Sequence, residues 1–158
     1  KIFKQLLQTT EILHQKSIFH LDIKPENILC TQSEFLLIDF GSATKTDFNE
    51  VKTNKLLKSN SKSALLITQT QMFSSKRLDS VDGLVICDKY DVYSLGCVLY
   101  HVLMDDYLPQ PLSPDTEQFK QVLRVYGVEI ADLISGMTFS NLVLRYDISQ
   151  CLLHPAFN

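Results

Sequence analysis

The segment HLDIKPENILCTQSEFLLIDFG, residues 20–41, decides the fold of this chain and carries its chemistry. It holds two short apolar runs, Asn27–Cys30 and Phe35–Ile38, separated by the polar letters TQSE. Short apolar runs on either side of a polar turn are typical of a β-hairpin. Pro25 disfavours a helix for the residues just before the first apolar run. The segment therefore predicts a small antiparallel pair of strands with an irregular, polar entry.

The predicted hairpin brings several polar side chains together. Asn27 and Asp39 lie six residues on either side of Ser33, so a pairing centred on Ser33 places both at its open end. One carboxylate and one carboxamide oxygen at a strand end suit a hard cation such as Mg²⁺. Asp22 and Lys24 add an acid and an ammonium group just before the hairpin. An acid, a cation and two metal-type oxygens in one short segment favour phosphoryl transfer.

Composition is that of a globular domain. The chain has 158 residues, 45% of them hydrophobic and 21% charged, and a formal net charge of −3. This length suits one domain with a real core, and the apolar content argues against a disordered chain. No apolar run approaches the roughly 18 residues of a membrane-spanning helix, and the N-terminal stretch is not a signal peptide.

Charge is distributed unevenly along the chain. Residues 45–77 contain seven basic and two acidic side chains, whereas the remainder contains eight basic and sixteen acidic ones. The basic stretch is rich in Ser, Lys and Asn, which predicts a long flexible loop. A solvated loop without a partner and a loop that meets an acidic partner both remain open. Nucleic-acid binding is disfavoured because the stretch lacks interleaved aromatic residues and the pI is about 5.8.

The four cysteines, Cys30, Cys87, Cys97 and Cys151, have neither C-x-x-C spacing nor the density of a disulfide-rich domain. They are interpreted as reduced, buried thiols of a cytoplasmic or nuclear protein.

Periodicity predicts a mostly helical chain. Residues Ile2 to Gln15 place Ile2, Phe3, Leu6, Leu7 and Leu13 on one helical stripe. Residues Tyr90–Met104 are apolar almost all round, which predicts a buried central helix. The proline-rich stretch Leu108–Pro114 must be a connector. Short helices are then predicted at Phe119–Tyr126, Glu129–Met137 and Ser149–Leu153.

Four motifs together resemble the protein kinase family. The letters HLDIKPEN at residues 20–27 match the catalytic-loop pattern H-R-D-L-x-x-x-N, and residues 39–41 match D-F-G. The letters DVYSLG at Asp91–Gly96 are similar to D-x-W-S-x-G, and residues 145–155 are similar to the family's closing R-x-(S/T)-x-x-x-L-L-x-H-P segment. The order of the motifs is that of the family, and the match covers the C-terminal lobe only.

The resemblance implies a mainly α, protein-kinase-like C-lobe helical bundle, with a small β-hairpin bearing the catalytic and D-F-G motifs. It also implies that residues 1–158 are a partial kinase domain whose N-lobe belongs to the same polypeptide.

The resemblance assigns roles to individual side chains. Asp22 would orient the substrate hydroxyl and accept its proton, and Lys24 would steady the γ-phosphate of ATP. Asn27 and Asp39 would hold Mg²⁺ and, through it, the nucleotide. Lys24 is typical of serine/threonine rather than tyrosine kinases. Asp91 would anchor the catalytic loop by accepting main-chain hydrogen bonds.

Three positions depart from the family pattern. Leu21 replaces the Arg that ordinarily pairs with a phosphate on the activation loop. One alignment of the A-P-E segment places Lys76 where the Glu partner of Arg145 should stand, and a shifted alignment that uses Asp79 restores the sign. Gln69 stands where the substrate-binding loop normally has Thr, which weakens the expectation of peptide recognition.

Two functions therefore remain open. The first is a serine/threonine protein kinase that transfers the ATP γ-phosphate to a protein hydroxyl, with a protein substrate and neither nucleic acid nor membrane as partner. The second is a pseudokinase or truncated kinase that acts as a binding module. The chain contains no Gly-rich loop and no V-A-I-K lysine, so by itself it is expected to be incomplete for activity.

Overall fold

A computed structural model of the chain describes residues 2–31, 34–45 and 87–158. The predicted basic loop, apart from Lys45, lies outside the described residues. The same holds for the two alternative alignments at Lys76 and Asp79 and for the substitution at Gln69, so these interpretations stay predictions.

Five helices and two small sheets make up the described parts of the chain. The helices are α1 (Ile2–Gln15), α2 (Cys87–Met104), α3 (Glu117–Tyr126), α4 (Val128–Met137) and α5 (Ile148–Leu152). The strands are β1 (Ile18–Phe19), β2 (Ile28–Cys30), β3 (Phe35–Leu37) and β4 (Thr44–Lys45), and short 3₁₀ turns cover Pro25–Asn27, Phe40–Ser42 and Pro155–Phe157. The predicted mainly α architecture with a small hairpin is confirmed, and no helix end differs from prediction by more than three residues.

Helix α2 is the centre of the core. Residues 90–100 of this helix, including Val92, Leu95 and Val98, are buried on every face, because the sequence there is apolar almost all round. It packs against α1 on one side and α4 on another. Two of the three later helices begin at side-chain caps: the Thr116 hydroxyl accepts from the Phe119 N–H at the start of α3, and Asp147 forms a capping box at the start of α5.

The buried face of α1 differs from the predicted stripe. Leu6 and Leu7 are buried as predicted, but the stripe continues through the polar residues Thr10 and His14, and Leu13 is only half-buried. Residues 6, 10 and 14 are four apart, so they lie one above another on the same helix face. A prediction based on apolar residues alone therefore misplaced the end of this face.

The hairpin is registered one residue away from the predicted pairing. Ile28 faces Leu37 across the β2–β3 ladder, and the Ile38 N–H donates to the Asn27 carbonyl at 2.9 Å. Asn27 is therefore opposite Ile38, and Asp39 lies one residue beyond the pair. Both residues are still at the open end of the hairpin. The second sheet, β1 with β4, was not predicted because two-residue strands carry no readable alternation.

Of the three cysteines whose side chains are described, Cys97 and Cys151 are buried and free, as predicted. Cys30 is also free but is exposed on β2, so its predicted burial is wrong. In the described part of the chain, no helix has the length and apolar character needed to cross a membrane.

Candidate active site

Asp22 is the centre of a cluster of contacts between β1 and β2. Its Oδ2 atom accepts from Lys24 Nζ at 3.0 Å and from Asn27 Nδ2 at 3.0 Å. Both donors reach the same oxygen, and no donor from the described residues reaches Oδ1. The Asp22 side chain keeps 12% of its surface exposed, so it is sheltered but open to a ligand. Oδ1 is therefore the oxygen that can accept a proton from an incoming group.

The 3₁₀ turn at Pro25–Asn27 sets the position of Asn27. Proline at the start of this turn fixes its backbone, and the Asn27 N–H donates to the Lys24 carbonyl at 2.9 Å. The buried Asn27 side chain donates from Nδ2 to both the Asp22 carbonyl, at 2.8 Å, and Asp22 Oδ2. With the amide nitrogen committed to Asp22, the amide oxygen of Asn27 is the atom available to a cation.

Asp39 occupies a turn of its own. Its backbone is left-handed, with φ of 60°, a conformation that aspartate tolerates better than most residues. Its Oδ1 atom accepts from the Gly41 N–H at 3.1 Å, and a Cβ on residue 41 would lie 3.0 Å from that oxygen. Glycine at position 41 thus leaves room for the carboxylate. The structure brings Asp22, Lys24 and Asn27 into direct contact, whereas the exposed Asp39 carboxylate contacts Gly41 instead.

His20 connects the two motifs. Its ring is fully buried, and Nε2 lies 3.0 Å from the Ile38 carbonyl while Nδ1 accepts from the Asp22 N–H at 3.3 Å. A carbonyl can only accept, so the ring proton is assigned to Nε2. The His20 ring also lies 4.8 Å from the ring of Phe40, between centroids. These contacts give His20 a structural role.

Asp91, at the start of α2, holds the backbone before Asp22. Its Oδ2 accepts from the His20 N–H at 2.9 Å and its Oδ1 from the Leu21 N–H at 2.8 Å. The predicted anchoring role of Asp91 is confirmed by these two bonds. Leu21 has φ of 61°, a left-handed conformation that costs a non-glycine residue about 1–2 kcal/mol. The buried Leu21 side chain forms a small apolar cluster with Phe19 and Tyr90.

His14 completes this anchor and was missed in the sequence. Its Nε2 lies 2.9 Å from Asp91 Oδ2, so the buried carboxylate has three hydrogen-bond contacts. A polar residue on the buried face of α1, four residues after the buried Thr10, was the available signal.

Arg145 ties the last quarter of the chain to helix α2 and takes no part in the Asp22 cluster. Its Nε donates to the Phe139 carbonyl at 2.8 Å and its Nη1 to the Lys89 carbonyl at 2.9 Å. The guanidinium carbon lies 4.8 Å from the centre of the Tyr93 ring. Burial, and then the neighbouring Cys97, raises the pKa of Tyr93 above its usual range, so this hydroxyl stays protonated.

Comparison with known proteins decides the family. A family model described as "Protein kinase domain" matches residues 1–157. The chain belongs to the protein kinase family. Its resemblance to kinases at the catalytic-loop and D-F-G motifs is therefore confirmed as family membership.

Two relatives of this kinase-family chain are themselves named as kinases. Myosin light chain kinase 2, skeletal/cardiac muscle, of Bos taurus is 30% identical over 170 residues, covering 98% of this chain and 25% of that protein. Probable serine/threonine-protein kinase glkA of Dictyostelium discoideum is 33% identical over 144 residues, covering 86% of this chain and 26% of that protein. The chain thus spans about a quarter of the length of these relatives.

A solved structure supports the kinase-like fold. "Crystal structure of Rad53 kinase domain and SCD2" superposes with a TM-score of 0.65 and 21% identity, covering 99% of this chain and 56% of that one. At this identity the likeness concerns the fold alone, and the predicted kinase-like helical architecture is confirmed.

Proposed function

We propose that this chain is the C-terminal lobe of a serine/threonine protein kinase that transfers the γ-phosphate of ATP to a protein hydroxyl. The observation that carries the proposal is the contact cluster around Asp22, in which Lys24 and Asn27 occupy one carboxylate oxygen and leave the other available. A carboxylate fixed in this way suits a group that orients a hydroxyl and receives its proton.

Each residue then has a defined task. Asp22 Oδ1 accepts the proton of the substrate hydroxyl while the hydroxyl oxygen forms a bond to the γ-phosphorus. The bond between the γ-phosphorus and the bridging oxygen of the β-phosphate breaks, and ADP leaves. Lys24, already 3.0 Å from Asp22, offers positive charge to the transferring phosphoryl group. The preference for serine or threonine is supported by Lys24 and by the name of one relative, probable serine/threonine-protein kinase glkA.

Magnesium fits the chemistry of the donor set. Among residues 2–31, 34–45 and 87–158 there is no group of three or more His, Cys, Asp or Glu side chains that could hold a metal ion. Mg²⁺ in phosphoryl-transfer sites usually takes one or two protein oxygens and completes its shell with phosphate and water. The Asn27 amide oxygen and the Asp39 carboxylate are the two protein groups we assign to it. Bound there, the ion would neutralise negative charge on the phosphates.

The second candidate is a pseudokinase that binds partners without catalysis. It is favoured by Lys76, which stands where the family has an acidic residue in one alignment. A protein substrate and an N-lobe from the same polypeptide are the partners we propose for the enzyme. We further propose a cytoplasmic or nuclear location from the free cysteines.

The decisive experiment is Asp22→Asn in the complete protein, assayed for phosphate transfer from labelled ATP to a generic serine/threonine substrate mixture. Loss of the proton acceptor should lower kcat about 10²- to 10⁴-fold, the range for general acid–base groups. The ATP dissociation constant should change little, because Asp22 contacts the substrate hydroxyl rather than the nucleotide.

Glu26→Gln is the matched control, because it removes one carboxylate from the same segment at an exposed position. This variant should keep wild-type activity. Wild-type protein that binds ATP but transfers no phosphate would support the pseudokinase instead. Full activity in Asp22→Asn would remove Asp22 from the mechanism.

A further inference from the structure

A second group of titratable side chains lies outside the Asp22 cluster and connects α4 with the 3₁₀ turn at Pro155–Phe157. The Asp132 Oδ2 atom lies 3.0 Å from His154 Nε2 and accepts from the Tyr146 hydroxyl at 3.1 Å. The His154 ring is buried, whereas the Asp132 side chain is 58% exposed. One partner of the buried ring is therefore a carboxylate in contact with water.

The other ring nitrogen of His154 caps the turn. His154 is the N-cap residue of Pro155–Phe157, and its Nδ1 atom accepts from the Ala156 N–H at 3.2 Å. An imidazole nitrogen that accepts a hydrogen bond carries no proton, so the ring proton is assigned to Nε2, which donates to Asp132. The neutral ring thus ties the turn to α4 and also satisfies a main-chain N–H at the start of the turn.

A proton on Nδ1 changes these two contacts in opposite directions. The protonated imidazole has a donor on each nitrogen, so Nδ1 can no longer accept from the Ala156 N–H. The contact between Nε2 and the Asp132 carboxylate becomes a charge-assisted hydrogen bond and is strengthened. Protonation therefore keeps the ring attached to α4 while the turn loses its cap. Histidine is the side chain whose ordinary pKa places such a change between about pH 5 and about pH 8.

The surrounding elements bring further charged or titratable groups to the ring and the turn. Besides Asp132 from α4, the segment before α5 supplies Tyr146, and α5 supplies Cys151, whose carbonyl accepts the His154 N–H at 3.2 Å. Burial, followed by the hydrogen bond to Asp132, raises the pKa of Tyr146, and burial raises the pKa of Cys151 to about 12. The phenol and the thiol therefore stay neutral in this pH range. From α1, Lys4 Nζ lies 5.8 Å from the centre of the Phe157 ring.

We propose that His154 makes the Pro155–Phe157 turn a pH-sensitive switch, which is capped when the ring is neutral and loses its cap when the ring is protonated. Ala156 and Phe157 pack against the hydrophobic core, so a loosened turn uncovers apolar surface there. The inference is independent of phosphoryl transfer, because it concerns a main-chain hydrogen bond outside the Asp22 cluster.

The test measures site-resolved amide exchange in the complete protein at about pH 8 and about pH 5, with each rate divided by that of an unstructured peptide at the same pH. The protection of the Ala156 N–H should fall about 3- to 10-fold in acid, the factor that corresponds to one hydrogen bond. The fall should follow the titration of the His154 ring, monitored by NMR. The Phe119 N–H is the internal control, because its acceptor is the Thr116 hydroxyl, which keeps its lone pairs throughout this range.

Two variants separate the ring from its surroundings. His154→Asn removes the titrating group but keeps a side-chain oxygen that can cap the turn, since Asn is a favoured N-cap residue. In this variant the protection of Ala156 should be equal at the two pH values. Tyr146→Phe is the matched control, because it deletes a hydroxyl that bonds to Asp132 and leaves Nδ1 untouched. It should show the same fall as the wild type.

Equal protection of Ala156 at the two pH values in the wild-type protein would overturn the proposal. A fall of the same size in His154→Asn, or at Phe119, would also overturn it, since the cause would then be a general loosening rather than the His154 ring. If His154→Asn does not fold, the wild type alone decides, and a fall at Ala156 that does not follow the ring titration would reject the switch.

Discussion

Replacing Asp91 with Asn tests the anchor directly. Asn differs from Asp by exchanging one acceptor oxygen for an NH₂ donor, with almost no change in shape. In the structure Oδ1 faces the Leu21 N–H and Oδ2 faces the His20 N–H and the His14 ring. Whichever way the new amide is turned, its NH₂ group meets a main-chain N–H. At least one buried donor therefore loses its acceptor.

The magnitude follows from these contacts. One buried donor without an acceptor costs about 1–3 kcal/mol, and the remaining bond weakens because its acceptor is no longer charged. We expect Asp91→Asn to lower the free energy of unfolding by about 2–4 kcal/mol in urea titrations followed by circular dichroism. Asp115→Asn is the control, because it makes the same chemical change at an exposed position and should stay within about 0.5 kcal/mol of wild type. An Asp91→Asn protein as stable as the control would refute the reasoning.

Three further predictions concern packing, pH and thiol reactivity. An added Cβ at Gly136 would overlap the ring of Tyr146, so Gly136→Ala should cost about 1–3 kcal/mol in urea unfolding. In a Tyr146→Ala background the same change should instead stabilise the protein by up to about 1 kcal/mol through helix propensity. A loss of stability in both backgrounds would show that the Tyr146 ring is not the cause. Burial raises the pKa of the Cys97 and Cys151 thiols from 9.0 to about 12. The folded state therefore keeps protons that the unfolded chain releases, so the free energy of unfolding should fall as pH rises from 9.0 toward about 12. A free energy of unfolding that stays constant over this pH range would contradict the burial of the two thiols. At neutral pH an alkylating reagent should modify the exposed Cys30 before Cys97 or Cys151, as peptide mapping would reveal; equal labelling rates would argue against this ranking.

Local sequence patterns determined much of this protein. Helix α1 has the predicted bounds, and the burial of residues 90–100 in α2 follows from a sequence that is apolar almost all round. The letters from His20 to Asn27 and from Asp39 to Gly41 were sufficient to predict the family, because local spacing specifies which chemical groups follow one another.

Only the tertiary structure decided how distant residues meet. Asp91 follows His14 by 77 positions, and no local pattern says that these two side chains share a hydrogen bond. The one-residue shift of the hairpin and the pairing of β1 with β4 likewise depend on which backbone groups find partners in the folded chain. Sequence spacing fixes which residues are neighbours along the chain, whereas contacts between distant segments are set by packing around the core. The hydrogen bonds of Asp91 to the backbone before Asp22 are contacts between distant segments, so only the tertiary structure shows them.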